Sequence, residues 1–114
     1  MTNPNIKTIN VHELKNTMEN YPDLCLIDVR ELTEWVEFHI PNAIHMPKDS
    51  VAATIESKIP NKNQAIYLYC KAGVRSLYAA QCLTTLGYQQ VYSVDGGIIE
   101  WALSGYPIEQ THDV

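Results

Sequence analysis

Three short apolar runs, Leu24-Cys25-Leu26-Ile27, Ala65-Ile66-Tyr67-Leu68-Tyr69 and Val91-Tyr92-Ser93-Val94, are separated by stretches whose apolar residues recur at helical spacing. A continuous apolar run of this length between turn signals such as Tyr21-Pro22-Asp23 and Pro60-Asn61 fits a strand covered on both faces. Strands alternating with helices pair in parallel through crossovers. The chain is therefore predicted to be an α/β protein, with a central, mainly parallel sheet of about five strands flanked by helices on both faces. Ligands of such sheets bind beyond the carboxyl ends of the strands.

The helices have readable ends. Asn10 and Glu13 form a capping-box pattern ahead of Val11, Leu14 and Met18, which predicts a helix to about Asn20 after a short strand at 7–9. A short helix is expected over 31–38, a turn at Pro41-Asn42, and an extended segment from Ala43 to Met46, ended by Pro47. Asp49 or Ser50 can cap a helix carrying Val51, Ile55 and Ile59. From Ser76, the residues Leu77, Ala80, Leu83 and Leu86 keep helical spacing until Gly87, a C′ candidate, and a last helix is expected over 98–103. Gly96-Gly97 reads as a tight strand-to-helix turn and Trp101 as a core anchor.

The 114 residues, 46% of them apolar, suffice for one buried core without metal or disulfide staples, so a single domain over 1–114 is expected, loose only in its first few residues and at 110–114. Eight basic residues against thirteen acidic ones give a net charge of -5, which disfavours nucleic acid and anionic lipid as partners. Any anionic ligand has to be attracted locally. Residues 1–10 contain no apolar leader core, and no apolar run approaches the roughly 20 residues of a membrane span, so a cytoplasmic protein is expected. Cys25, Cys70 and Cys82 lack paired-cysteine spacing, and His12, His39, His45 and His112 lack ligand spacing, so neither metal nor other cofactor is expected.

The chemistry concentrates in Cys70-Lys71-Ala72-Gly73-Val74-Arg75-Ser76, which joins a strand directly to a helix. Such a loop can turn several backbone N–H groups toward one sulfur, and Gly73 lets it curl. The helix dipole and the charges of Lys71 and Arg75 favour the thiolate, the nucleophilic form. A cysteine that only closed a buried strand would need packing, not this polar neighbourhood, so Cys70 is read as a nucleophile and Cys25 and Cys82 as core residues. Lys71 taken alone also fits a solvated loop charge. Asp28 and Arg30 lie at the end of the strand expected beside that of Cys70. They are read either as a support that orients the loop or as a surface ion pair.

The same loop, together with L-I-D-V-R-E at 26–31, E-W-V-E-F-H-I-P-N-A-I-H-M-P at 34–47 and V-D-G-G-I-I-E-W-A-L-S-G-Y-P-I at 94–108, resembles the single-domain rhodaneses in motif order and spacing over almost the whole chain. The resemblance implies that Cys70 takes a sulfane sulfur from a small anionic donor such as thiosulfate, holds it as a persulfide, and passes it to cyanide or a thiol. Backbone donors from Lys71 to Ser76 would bind the persulfide and the leaving group, with Lys71 and Arg75 orienting the donor. In that family His39 belongs to a structural turn, and Phe38 and Asn42 stand here where glycines are usual.

A second reading is a relay module that passes persulfide sulfur to a partner protein, since the loop resembles those of rhodanese domains attached to adenylating enzymes. A non-catalytic scaffold would be favoured by a missing cysteine, but Cys70 is present. Cysteine-dependent phosphatases and arsenate reductases of the same fold class rank lower. Their loop has five residues between Cys and Arg, against four here, Lys71 to Val74.

Overall fold

The computed structural model describes residues 6–110. Five parallel strands form one sheet in the order β1-β5-β4-β2-β3. They are β1 (Ile6–Ile9), β2 (Cys25–Asp28), β3 (Ile44–His45), β4 (Ile66–Tyr69) and β5 (Val91–Val94). The helices are α1 (Val11–Asn20), α2 (Leu32–Glu37), α3 (Val51–Lys58), α4 (Val74–Thr85) and α5 (Gly97–Leu103). None is long and apolar enough to cross a membrane. Of the terminal segments expected to be loose, 1–5 and 111–114 lie outside the described residues.

Side chains of a strand alternate between faces, and the two cores follow that alternation. Cys25, Ile27, Ile66, Leu68 and Cys70 pack with Val51 and Ile55 of α3 and Ala79, Ala80 and Leu83 of α4. On the other face Leu26, Tyr69 and Val94 meet Val11 and Leu14 of α1 and Ile98 and Trp101 of α5. Each face is covered by a helix pair, which is why the strands read as unbroken apolar runs. Trp101 is fully buried and its indole N–H donates to the carbonyl of Pro107 at 2.7 Å. α2 buries no residue and sits at the rim.

Most element ends match their sequence signals. The capping box closes in both directions, Asn10 with the Glu13 N–H at 2.8 Å and Glu13 with the Asn10 N–H at 2.9 Å. α4 begins at Val74, close to the start expected near Arg75, because Gly73 at φ +111 lets the chain enter it directly from the loop. One expectation on this helix needs correction. Its buried stripe runs through Ser76, Ala79, Ala80 and Leu83, so Leu77 is exposed and Cys82 is only partly buried rather than a full core residue. Ser50 occupies the α3 cap position but makes no capping bond, its hydroxyl donating instead to the carbonyl of Pro47. Of the two positions that depart from the glycine-rich turn, Phe38 has extended backbone at φ −169 and Asn42 takes the left-handed conformation at φ 69, which asparagine tolerates. His39 is structural: it stacks on Trp35 at 3.6 Å and its Nδ1 lies 2.9 Å from the Trp35 carbonyl.

Asp28 and Arg30 are a buried pair, not a surface one. Their side chains are 0% and 3% exposed, and the guanidinium contacts both carboxylate oxygens at 2.8–3.1 Å. Arg30 also donates to the carbonyl of Phe38 at 2.7 Å, which ties β2 to the end of α2. Removing one charge would leave the other buried without a counter-ion, at a cost of about 3–5 kcal/mol. Asp28→Asn is accordingly expected to lower the unfolding free energy by roughly that amount, read by urea denaturation, whereas Lys15→Ala, which breaks an exposed helical pair, should cost less than about 1 kcal/mol.

Candidate active site

β4 is flanked by β2 and β5, and Cys70 follows its last residue at the carboxyl end of the sheet. From there the chain turns through Lys71, Ala72 and Gly73 into α4. The turn is held from outside by the first turn of α5: the Ile98 N–H donates to the Cys70 carbonyl at 2.9 Å and the Ile99 N–H to the Lys71 carbonyl at 3.2 Å. A trans peptide points its N–H opposite to its C=O, so a Lys71 carbonyl committed to α5 directs the Ala72 N–H the other way, toward the sulfur.

Cys70 is 1% exposed and its Sγ receives the Gly73 N–H at 3.1 Å. The Ser76 hydroxyl lies 3.6 Å from Sγ. Burial pushes the thiol pKa up, but hydrogen bonds from the Ser76 hydroxyl and from the backbone N–H groups of Ser76, Gly73 and Ala72 outweigh it, so the net direction is down. Cys25 supplies the contrast within the same core: burial without such donors pushes its thiol up to about 11. The arrangement favours a thiolate on Cys70 and a thiol on Cys25.

The other loop residues divide between the cup and the rim. Gly73 and Ser76 are buried against the sulfur, whereas Lys71, Ala72 and Val74 are exposed, Ala72 contributing only its backbone. Arg75 does not present a free charge. Its guanidinium is clamped by Glu34 of α2 at 2.6 and 2.9 Å, and that pairing holds the Glu34 carboxyl at about 2. Arg75 thus shares its charge with Glu34, and Lys71 is the loop cation without an ion-pair partner among the described residues. Lys71 lines a cleft of about 470 Å³ together with Arg30, Glu34, Phe38, Ile98 and Leu103. A cavity of about 490 Å³ lies at the opposite, amino end of the strands, between Tyr21 and Tyr67, away from Cys70. Asp28 and Arg30 make no hydrogen bond to the Cys70 loop among the described residues.

Two residues of the site are not marked by the loop motif. Glu34 comes from a rim helix, and only the three-dimensional packing brings it to Arg75. Ser93 lies in β5 opposite Leu68 of β4, and its hydroxyl is 2.8 Å from that of Ser76. A small polar residue inside the buried run Val91-Tyr92-Ser93-Val94 is the signal that could have found it. Among the described residues no group of His, Cys, Asp and Glu could hold a metal ion.

With this geometry in place, the relatives are informative. The family model of the rhodanese-like domain matches residues 10–104. A sulfurtransferase of Allochromatium vinosum is 33% identical over 103 residues, covering 90% of this chain and 94% of its own. A probable adenylyltransferase/sulfurtransferase of Mycobacterium tuberculosis, MoeZ, is 36% identical over 101 residues, 88% of this chain, which spans only 26% of that longer protein. The solution structure of a rhodanese-like domain from Anabaena superposes with a TM-score of 0.82 at 27% identity, covering 90% of this chain and 78% of that one.

The close approach of α5 to the loop is tested at Gly97. This residue has φ +54, and a Cβ there would stand 2.4 Å from the backbone oxygens of both Cys70 and Lys71. Gly97→Ala is expected to cost roughly 1–3 kcal/mol in denaturant unfolding. It should also slow alkylation of Cys70 at neutral pH severalfold, since displacing the carbonyls misdirects the N–H groups behind them.

Proposed function

This chain belongs to the rhodanese-like domain family, and from that membership we propose that it is a sulfurtransferase moving sulfane sulfur from a small anionic donor such as thiosulfate to cyanide or a thiol through a persulfide on Cys70. The observation that carries the reading is the buried Sγ facing the Gly73 N–H at 3.1 Å inside a four-residue Cys-to-Arg loop.

In the loading step the Cys70 thiolate attacks the outer sulfur of thiosulfate. A new S–S bond forms, the old one breaks, and its electron pair leaves with sulfite. The negative charge of the enzyme then resides on the terminal sulfur of the persulfide, further into the curve of the loop, where preorganised N–H groups stabilise it as an oxyanion hole stabilises oxygen. In the unloading step cyanide or a thiolate attacks that terminal sulfur, and Cys70 departs as the thiolate. No net redox change and no cofactor are needed. Lys71 supplies the local attraction that a chain of net charge -5 otherwise lacks for a dianion.

A second reading, delivery of the persulfide sulfur to a partner protein, is favoured by the rim. Val74, 78% exposed, opens α4 directly after the loop that buries the sulfur, a setting in which an acceptor thiol carried by a protein would meet apolar surface.

The test of both is intact-mass spectrometry after incubation with thiosulfate. The wild type should gain the mass of one sulfur atom, reversed by cyanide, and Cys70→Ser should gain none. Loading by a persulfide-bearing protein but not by thiosulfate would select the relay, and no adduct from either source would end the sulfurtransferase reading. In steady-state assays Lys71→Ala should raise KM for thiosulfate roughly fivefold to tenfold with a smaller effect on kcat, as expected when one charged group no longer holds the donor.

A further inference from the structure

Ser76 and Ser93 are buried, 0% and 1% exposed, on α4 and β5. The Ser76 hydroxyl has three neighbours: Cys70 Sγ at 3.6 Å, the Gly73 carbonyl at 3.2 Å and Ser93 Oγ at 2.8 Å. The Ser93 hydroxyl has one, Ser76 Oγ, among the described residues. A buried hydroxyl proton without an acceptor is costly, so the Ser93 proton is committed to Ser76 Oγ. That leaves Ser76 a single proton and two acceptors for it, the Gly73 carbonyl and the sulfur.

We propose that Ser93 is a positioning residue for Cys70: by donating to Ser76 Oγ it makes Ser76 a standing donor whose proton swings from the Gly73 carbonyl to Sγ whenever the sulfur carries charge. With Cys70 as a thiol, its S–H donates to Ser76 Oγ and the Ser76 proton rests on the Gly73 carbonyl. With Cys70 as a thiolate, it turns to Sγ, and the Ser93 donation polarises the Ser76 O–H and strengthens it. When the sulfane sulfur is loaded, charge moves outward to the terminal sulfur and the proton swings back. No proton leaves the network during the cycle.

This inference rests on the reading of Cys70 as the nucleophile. The titratable and charged groups on elements around the sulfur are Lys71 and Arg75 of its own loop, Tyr69 of β4, Glu31 and Glu34 at α2, Cys25, Asp28 and Arg30 at β2, Lys48, Asp49, Glu56 and Lys58 at α3, Tyr78 on α4, and Asp95 and Glu100 at the turn into α5. All of them are unchanged by serine-to-alanine substitutions, so differences between such variants report the hydroxyls.

The experiment is the pH dependence of Cys70 alkylation by iodoacetamide, resolved from Cys25 and Cys82 by peptide mass mapping, in the wild type, Ser93→Ala, Ser76→Ala and the double variant. Ser93→Ala is expected to raise the Cys70 midpoint by about half a pH unit, and Ser76→Ala by about one unit. The double variant should match Ser76→Ala alone, because Ser93 acts only through Ser76. A merely structural serine would alter unfolding and leave the midpoint in place. An unmoved midpoint in Ser93→Ala, or an equal further rise when Ser93→Ala is added to Ser76→Ala, would overturn the proposal. A wild-type midpoint at or above that of an ordinary thiol would instead remove the nucleophile reading beneath it.

Discussion

The two hydrogen bonds from Ile98 and Ile99 to the carbonyls of Cys70 and Lys71 are the interaction on which the rest of the site depends. A loop closed on itself would have to satisfy those carbonyls internally or with water. Here α5 takes on that task, and the planarity of the peptide converts it into orientation: carbonyls face α5, and the amide that follows Lys71 faces the sulfur. The two N–H groups that α5 donates are ones that the start of any helix leaves without intrahelical partners. One end of α5 thus completes its own hydrogen bonding by shaping the end of β4.

The fold was largely legible because each strand is covered on both faces, which writes a continuous apolar run into the sequence, and because the ends of α1 and α4 carry residues with strong local preferences, Asn10 with Glu13 and Gly87 at φ +101. The Cys70 loop was legible for the same kind of reason, since its geometry is local. Partners that approach across the fold were not. Arg75 shows its charge in the sequence but not Glu34, 41 residues away, and Ser93 enters through the register of β4 and β5. The burial of Asp28 and Arg30 was equally hidden, because an Asp-x-Arg pair reads the same at a surface as in an interior.

The two buried cysteines of one core show how little residue type alone decides. Cys25 and Cys70 share a face of the sheet and both are nearly inaccessible. Cys25 opens a strand, where the backbone N–H groups are spent on ladder bonds, and burial then works unopposed against its ionisation. Cys70 closes a strand, where the ladder stops and the amides of the next few residues become available. Position relative to the carboxyl edge of the sheet, not depth, separates an inert thiol from an ionisable one.

Gly97 stands apart from both, because it has no part in the chemistry yet has space for no heavier residue against the Cys70 and Lys71 carbonyls. The demand comes from the backbone path of the loop and would persist whatever side chain occupied position 70. A chain without the cysteine but with the loop unchanged would meet the same crowding at this place, and any Cβ there has to displace the loop. Reactivity and shape at this corner of the fold are thus set by different residues, the one by Cys70 and the other by Gly97.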